Sequence, residues 1–258
     1  DVSNVENMRE MFYHCDQFKD LIALANWDVS KVKDMHDMFC SCQQLKDITA
    51  LANWNVSKVK DMSHMFDYCH QLQDITALSN WNVSNVKDMC WMFYHCEELE
   101  DITALANWDV SNVENMREMF DGCYQLQNIT GLANWDVSNV ENMREMFIYC
   151  YQLQNITGLA NWDVSKVENM DYMFWECNQL NISNVTSDIK SHLRDLPKRS
   201  YPKQDHTSLL QSLWERIKPL LKDTTRLNGY FKQYDERHLH IEDLPSDWQN
   251  IELPQWNP

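Results

Sequence analysis

The chain has 258 residues, 44% of them hydrophobic and 24% charged, and a formal net charge of −17. This is the composition of a folding chain, neither disordered nor collagen-like. Its apolar runs are too short for a transmembrane helix, and its opening, DVSNVENMRE, is too acidic and polar for a signal peptide. The negative balance disfavours nucleic acids and anionic membranes as partners.

From the first residue onward the sequence repeats. Trp27, Trp54, Trp81, Trp108, Trp135 and Trp162 are 27 residues apart, and so are Cys15, Cys42, Cys69, Cys96, Cys123, Cys150 and Cys177. Seven units begin at Asp1, Asp28, Asn55, Asn82, Asp109, Asp136 and Asp163. They share the pattern [DN]-V-S-[NK]-V-[EK]-[ND]-M-x-x-M-F-x-x-C, and below each residue is placed by its position in the unit. The units at 109–135 and 136–162 differ only at Asp121/Ile148 and Gly122/Tyr149. Residues 1–185 hold all nine Cys, all 14 Met, 11 basic and 28 acidic residues; residues 186–258 hold all six Pro and no net charge. The chain therefore divides into a repeat array, 1–185, and a C-terminal extension, 186–258.

Within each unit two elements are predicted. Met116, Met119, Phe120 and Cys123 stand at i, i+3, i+4 and i+7, the spacing of a short helix with one buried face. Leu126 to Val140 alternates and reads as strand, with Leu126, Ile129, Leu132, Trp135 and Val137 pointing inward. The Ser column from Ser3 to Ser165 and the Asn before each Trp suit turns. A unit of this size cannot bury its own apolar face. The units are expected to stack as an α/β repeat solenoid of seven rungs.

The motif W-D-V-S-N-V-x-N-M-x-x-M-F-x-x-C-x-x-L, as at Trp108–Leu126, resembles the DUF285 repeat family, the Mycoplasma-type and BspA-like branch of leucine-rich repeats. The resemblance covers residues 1 to about 185. It implies a leucine-rich-repeat-like fold and a bacterial surface protein, lipoprotein or adhesin. It carries over no catalytic residue and no cofactor.

The in-register Cys column reads as compact buried thiols, and the Met, Phe and Trp columns as core. Cys40 and Cys90 break the register and are expected to be exposed and reactive. Nine mostly free thiols fit a reducing compartment. Function is expected where the units disagree, at positions 10, 13, 14 and 16, on one flank. Tyr68, Trp91, Tyr94, His95, Tyr124, Tyr149, Tyr151 and Trp175 stand there among carboxylates, the composition of a protein-binding surface.

In the extension, helices are predicted over 188–196 and 206–222, forming a mostly helical cap. His238 and His240 lie on one strand face near Glu242, a candidate metal pair outweighed by ordinary exposed histidines. Trp248 to Trp256 is a Trp- and Pro-bearing tail. The expectation is a non-enzymatic protein–protein interaction module, metal- and cofactor-free, whose acidic aromatic flank takes a basic protein partner. The alternative is an assembly protein that builds oligomers or a larger particle through the solenoid ends and the tail. Asp1 opens a complete unit, so the N-terminal edge is expected to be uncapped and open to homo-oligomerisation.

Overall fold

The computed structural model describes residues 1–180; the helices, cap, metal pair and tail expected over 186–258 lie outside the described residues. The units stack one on the next. Position 7 of each forms a parallel bridge with position 7 of the following unit, from Asn7–Asp34 to Asn142–Asn169. A second parallel column joins position 20, as in Asp20–Asp47, Asp101–Asn128 and Asn128–Asn155. Among the described residues the regular elements are six 3-10 turns that start at position 22: η1 (Ile22–Leu24), η2 (Thr49–Leu51), η3 (Thr76–Leu78), η4 (Thr103–Leu105), η5 (Thr130–Asn134) and η6 (Thr157–Leu159).

The short helix predicted over positions 8–15 does not form. The chain there makes successive tight turns: in the fifth unit the amides of Met119, Asp121 and Cys123 donate to the carbonyls of Met116, Glu118 and Phe120. Positions 10 and 14 have left-handed backbone, φ 54° at Glu118 and 69° at Gly122, the third-residue geometry of type II turns. The intervening amides of Met116, Glu118, Phe120 and Gly122 donate to Asn142, Arg144, Met146 and Ile148 in the next unit. The Arg117 amide donates to the Asn115 side chain. Every amide from Met116 to Cys123 thus has a partner, half of them along the stack. An isolated two-turn helix would gain no such contacts and would bear a full nucleation cost.

The apolar spacing is read correctly even so, because paired turns also bring positions 8, 11, 12 and 15 to one side. Met116, Met119, Phe120 and Cys123 are fully buried, as are Leu126, Ile129 and Leu132. The strand predicted from Leu126 to Val140 is replaced by η5 and irregular chain, with Trp135 and Val137 still inward.

Three columns lock the core along the stack. Phenyl rings at position 12 lie face to face from Phe12 to Phe174, 5.4–5.7 Å apart and within 11° of parallel. Each indole N–H from Trp54 to Trp162 donates to the position-24 carbonyl of the preceding unit, at 2.9–3.2 Å. Each thiol from Cys42 to Cys177 donates to the position-12 carbonyl of the preceding unit, at 3.1–3.3 Å. Burial pushes the Cys42 thiol up to about 12 and Cys69, Cys96, Cys123 and Cys150 well above the usual thiol range.

The turns at unit corners are held by Asx contacts. Side chains at positions 1, 7 and 20 accept from the amide two residues on, as Asp109 does from Ser111, Asp88 from Cys90 and Asp101 from Thr103. Hydrogen bonds from the Ser or Thr two residues on hold Asp28, Asp47, Asp136 and Asp163 below the usual carboxylate range. Acid at these positions is part of the turn.

Phe93 sits mid-column between Phe66 and Phe120. Phe93→Ala is expected to cost about 3–5 kcal/mol, read as a lowered urea midpoint.

Candidate functional site

Positions 8, 11, 12 and 15 face the core, and the side chains between them turn outward. Positions 9, 10, 13, 14 and 16 of successive units therefore line one flank. Left-handed backbone at positions 10 and 14 is occupied there by Asp37, His64, Trp91 and Glu145, and by Ser41, Tyr68, His95 and Tyr149. Non-glycine residues enter this region at about 1–2 kcal/mol each; the inter-unit hydrogen bonds offset it.

The rings expected on this flank form a nearly unbroken strip. His36 packs on His64 at 5.2 Å, His64 on Trp91 at 4.2 Å, and Trp91 on Tyr94 at 6.0 Å. Tyr94 meets Tyr68 and His95, Tyr68 stacks on His95 at 5.2 Å, and His95 meets Tyr124 at 5.6 Å. Tyr124 stacks on Tyr151, which touches Tyr149. Trp175 packs edge-on against Tyr172 in the last described unit. Seven of the eight predicted residues are thus joined by ring contacts, with Trp175 placed beside Tyr172.

Their exposure differs from expectation. Tyr151 is exposed, His95 is buried at 4% exposure, and the other six are half-buried. The reason is mutual packing: each ring lies against rings from its own unit or the next. Gly122 contributes, since a Cβ there would lie 3.0 Å from the His95 ring. The missing side chain gives His95 its seat, and Tyr124 Oη reaches His95 Nδ1 at 3.4 Å. Cys40 is likewise buried, not exposed, and Cys90 is half-buried. Burial pushes both thiols far up, reinforced by Asp67 at Cys40 and Asp88 at Cys90.

The flank also holds buried charge, which the sequence reading missed. Glu118 and Asp121 are both 6% exposed, and Asp121 Oδ1 and Trp91 Nε1 are buried without a hydrogen-bond partner among the described residues. Burial, then Glu118, Glu145 and Asp67, push the Asp121 carboxyl well above the usual carboxylate range. Glutamates at position 10 are paired by arginine at position 9: Arg9 with Glu10, Arg117 with Glu118 and Arg144 with Glu145. Arg117 also covers the Trp91 ring at 5.1 Å. His70 at 2.9 Å and His95 at 3.6 Å hold Glu97 down to about 2. In the second and third units Asp37, His64 and Asp67 bring one donor atom each to within 4.8 Å of one another. Asp37 comes from the unit before that of His64 and Asp67, and His70 from the unit before that of Glu97, so spacing within one unit does not reveal these two meetings.

Ionising Asp121 is harder in the folded chain than in the unfolded one. Its contribution therefore favours the fold below the ordinary value of 3.8 and is lost as pH rises through the raised value. Asp121→Asn, which fixes the neutral form, is expected to stabilise the chain at about pH 8 and to have little effect at about pH 3, measured by urea unfolding at both.

The family model described as "Mycoplasma protein of unknown function, DUF285" matches the chain twice, over residues 1–103 and 91–196. No curated protein matches the chain. With three quarters of the sequence inside those two matches, the chain belongs to the DUF285 family.

Proposed function

We propose that this chain is a non-enzymatic protein-binding module. The stacked units act as a solenoid scaffold akin to leucine-rich repeats, and the outward flank of positions 9–16 is the contact surface. The observation that carries the reading is the aromatic strip. The side chains that vary between units converge on one face and interlock there, while the inward positions keep repeating the same apolar residues. Half-buried Tyr and Trp are pre-ordered by their neighbours, so little side-chain entropy is lost when a partner covers them. Rings of this kind dominate binding energy at protein interfaces.

Charge supports it as well. The net charge of −17, all of it in residues 1–185, favours a basic partner and speeds its approach. The family resemblance to bacterial surface proteins agrees with a partner outside the producing cell.

The test uses the full chain, immobilised and screened against basic proteins and peptides, with bound species compared between the parent and a Tyr124→Ala/Tyr151→Ala variant. If the strip is the contact surface, the pair of changes weakens binding by about 30-fold or more. Association should also slow as salt rises. Partners bound equally well by parent and variant would remove the strip from consideration.

A further inference from the structure

We propose that Asp37, His64 and Asp67 form a binding site for one divalent transition-metal ion of the zinc class. The proposal is independent of partner binding.

The geometry comes first. His64 Nδ1 lies 2.7 Å from Asp67 Oδ2 and 3.9 Å from Asp37 Oδ1. Donors about 2.0–2.2 Å from a tetrahedral zinc stand roughly 3.3 Å apart, a value that these two separations bracket. A small inward shift of Asp37 and a slight opening of the His64–Asp67 contact would place a cation among all three. One imidazole and two carboxylates suit zinc, cobalt, manganese or iron, and disfavour calcium, which takes oxygen alone. The three side chains are 8–17% exposed, so the site is sheltered yet reachable, with coordination positions left for water or a partner's side chain.

Charge supplies the second argument. Elsewhere on this flank an acid at position 10 has arginine beside it at position 9. In the second and third units position 9 is His36 and Ser63, and positions 10 and 13 add Asp37, Cys40, His64 and Asp67, with no Lys or Arg. The cationic contacts of Asp37 are the imidazoles of His36 and His64. Asp37 thus lies beside imidazole where the other position-10 acids lie beside guanidinium, and a divalent cation among Asp37, His64 and Asp67 would offset the cost of sheltering two carboxylates together.

The surroundings fit a metal site as well. His36 Nε2 sits 2.7 Å from Asp37 Oδ2, leaving Oδ1 for the ion, and His36 Nδ1 is 2.5 Å from Ser63 Oγ. Such outer contacts orient ligating groups and raise affinity. The Trp91 ring, 4.2 Å from that of His64, fixes the imidazole from the other side. Asp37 and His64 both occupy left-handed position 10, which turns them out of the same face one unit apart.

The experiment is calorimetric titration of the chelator-treated full chain with zinc, paired with cobalt titration followed by visible absorption. The parent should bind one equivalent. His64→Gln and Asp67→Asn should each weaken binding by about 100-fold or more, and His36→Gln by about tenfold. Circular dichroism establishes that each variant is folded; should His64→Gln unfold, Asp67→Asn, which keeps the shape of the side chain, decides. A His238→Gln/His240→Gln variant should bind as the parent does. No saturable binding by the parent overturns the proposal. So does undiminished binding in the Asp67→Asn variant, loss of binding in the His238/His240 variant, or a cobalt–thiolate charge-transfer band that survives His64→Gln.

Discussion

Between positions 8 and 15 of the first six units, alternate amides do different work. One closes a turn within the unit and the next crosses to the following unit. A chain can alternate in this way only if its direction is reset every few residues, and the left-handed backbone at positions 10 and 14 does so. Among the described residues thirteen non-glycine residues adopt that conformation. They are tolerated because a buried amide left unpaired would cost as much or more. The stacked core follows from this constraint: once the units are tied at fixed spacing, position 12 must meet position 12, and the phenyl column, the indole bonds and the thiol bonds fall into register.

The same constraint explains the acidity. Asp and Asn serve equally at positions 1, 7 and 20, where a side-chain oxygen must accept an amide hydrogen. Twelve of the 28 acidic residues of the array stand at these positions. Their charge is a by-product of turn formation. The acids that carry information are those of the flank, where Asp37, Asp67, Glu118 and Asp121 are sheltered among rings and imidazoles. Desolvation there makes each charge costly unless it is paired, and the pairing differs from unit to unit. Arginine serves in the first, fifth and sixth units, histidine in the second and third.

A flank built this way couples its parts. His95 rests on the gap left by Gly122, is stacked by Tyr68, meets Tyr124 and lies near Glu97. His64 touches both the proposed cation site and Trp91, the first large ring of the strip. A cation held by Asp37, His64 and Asp67 would therefore stiffen one end of the proposed contact surface. The register of the scaffold beneath rests on backbone bonds and fully buried side chains.

The amino-acid sequence shows the unit length, the number of units, the inward residues and the columns that vary, because a 27-residue period is visible in the positions of Trp, Cys and Met. It also located the flank, since Tyr68, Tyr94 and Tyr124 stand in variable columns. It did not determine the backbone. Met116, Met119, Phe120 and Cys123 have the spacing of a helix face, and paired turns with bonds to a neighbouring unit present the same four residues inward. Periodicity reports which side chains are buried and is silent on where the amides point. Nor did it reveal the burial of His95 and Cys40 or the meeting of Asp37, His64 and Asp67. Those depend on which side chain of one unit lies over which side chain of the next, and only the stacked tertiary structure decides that.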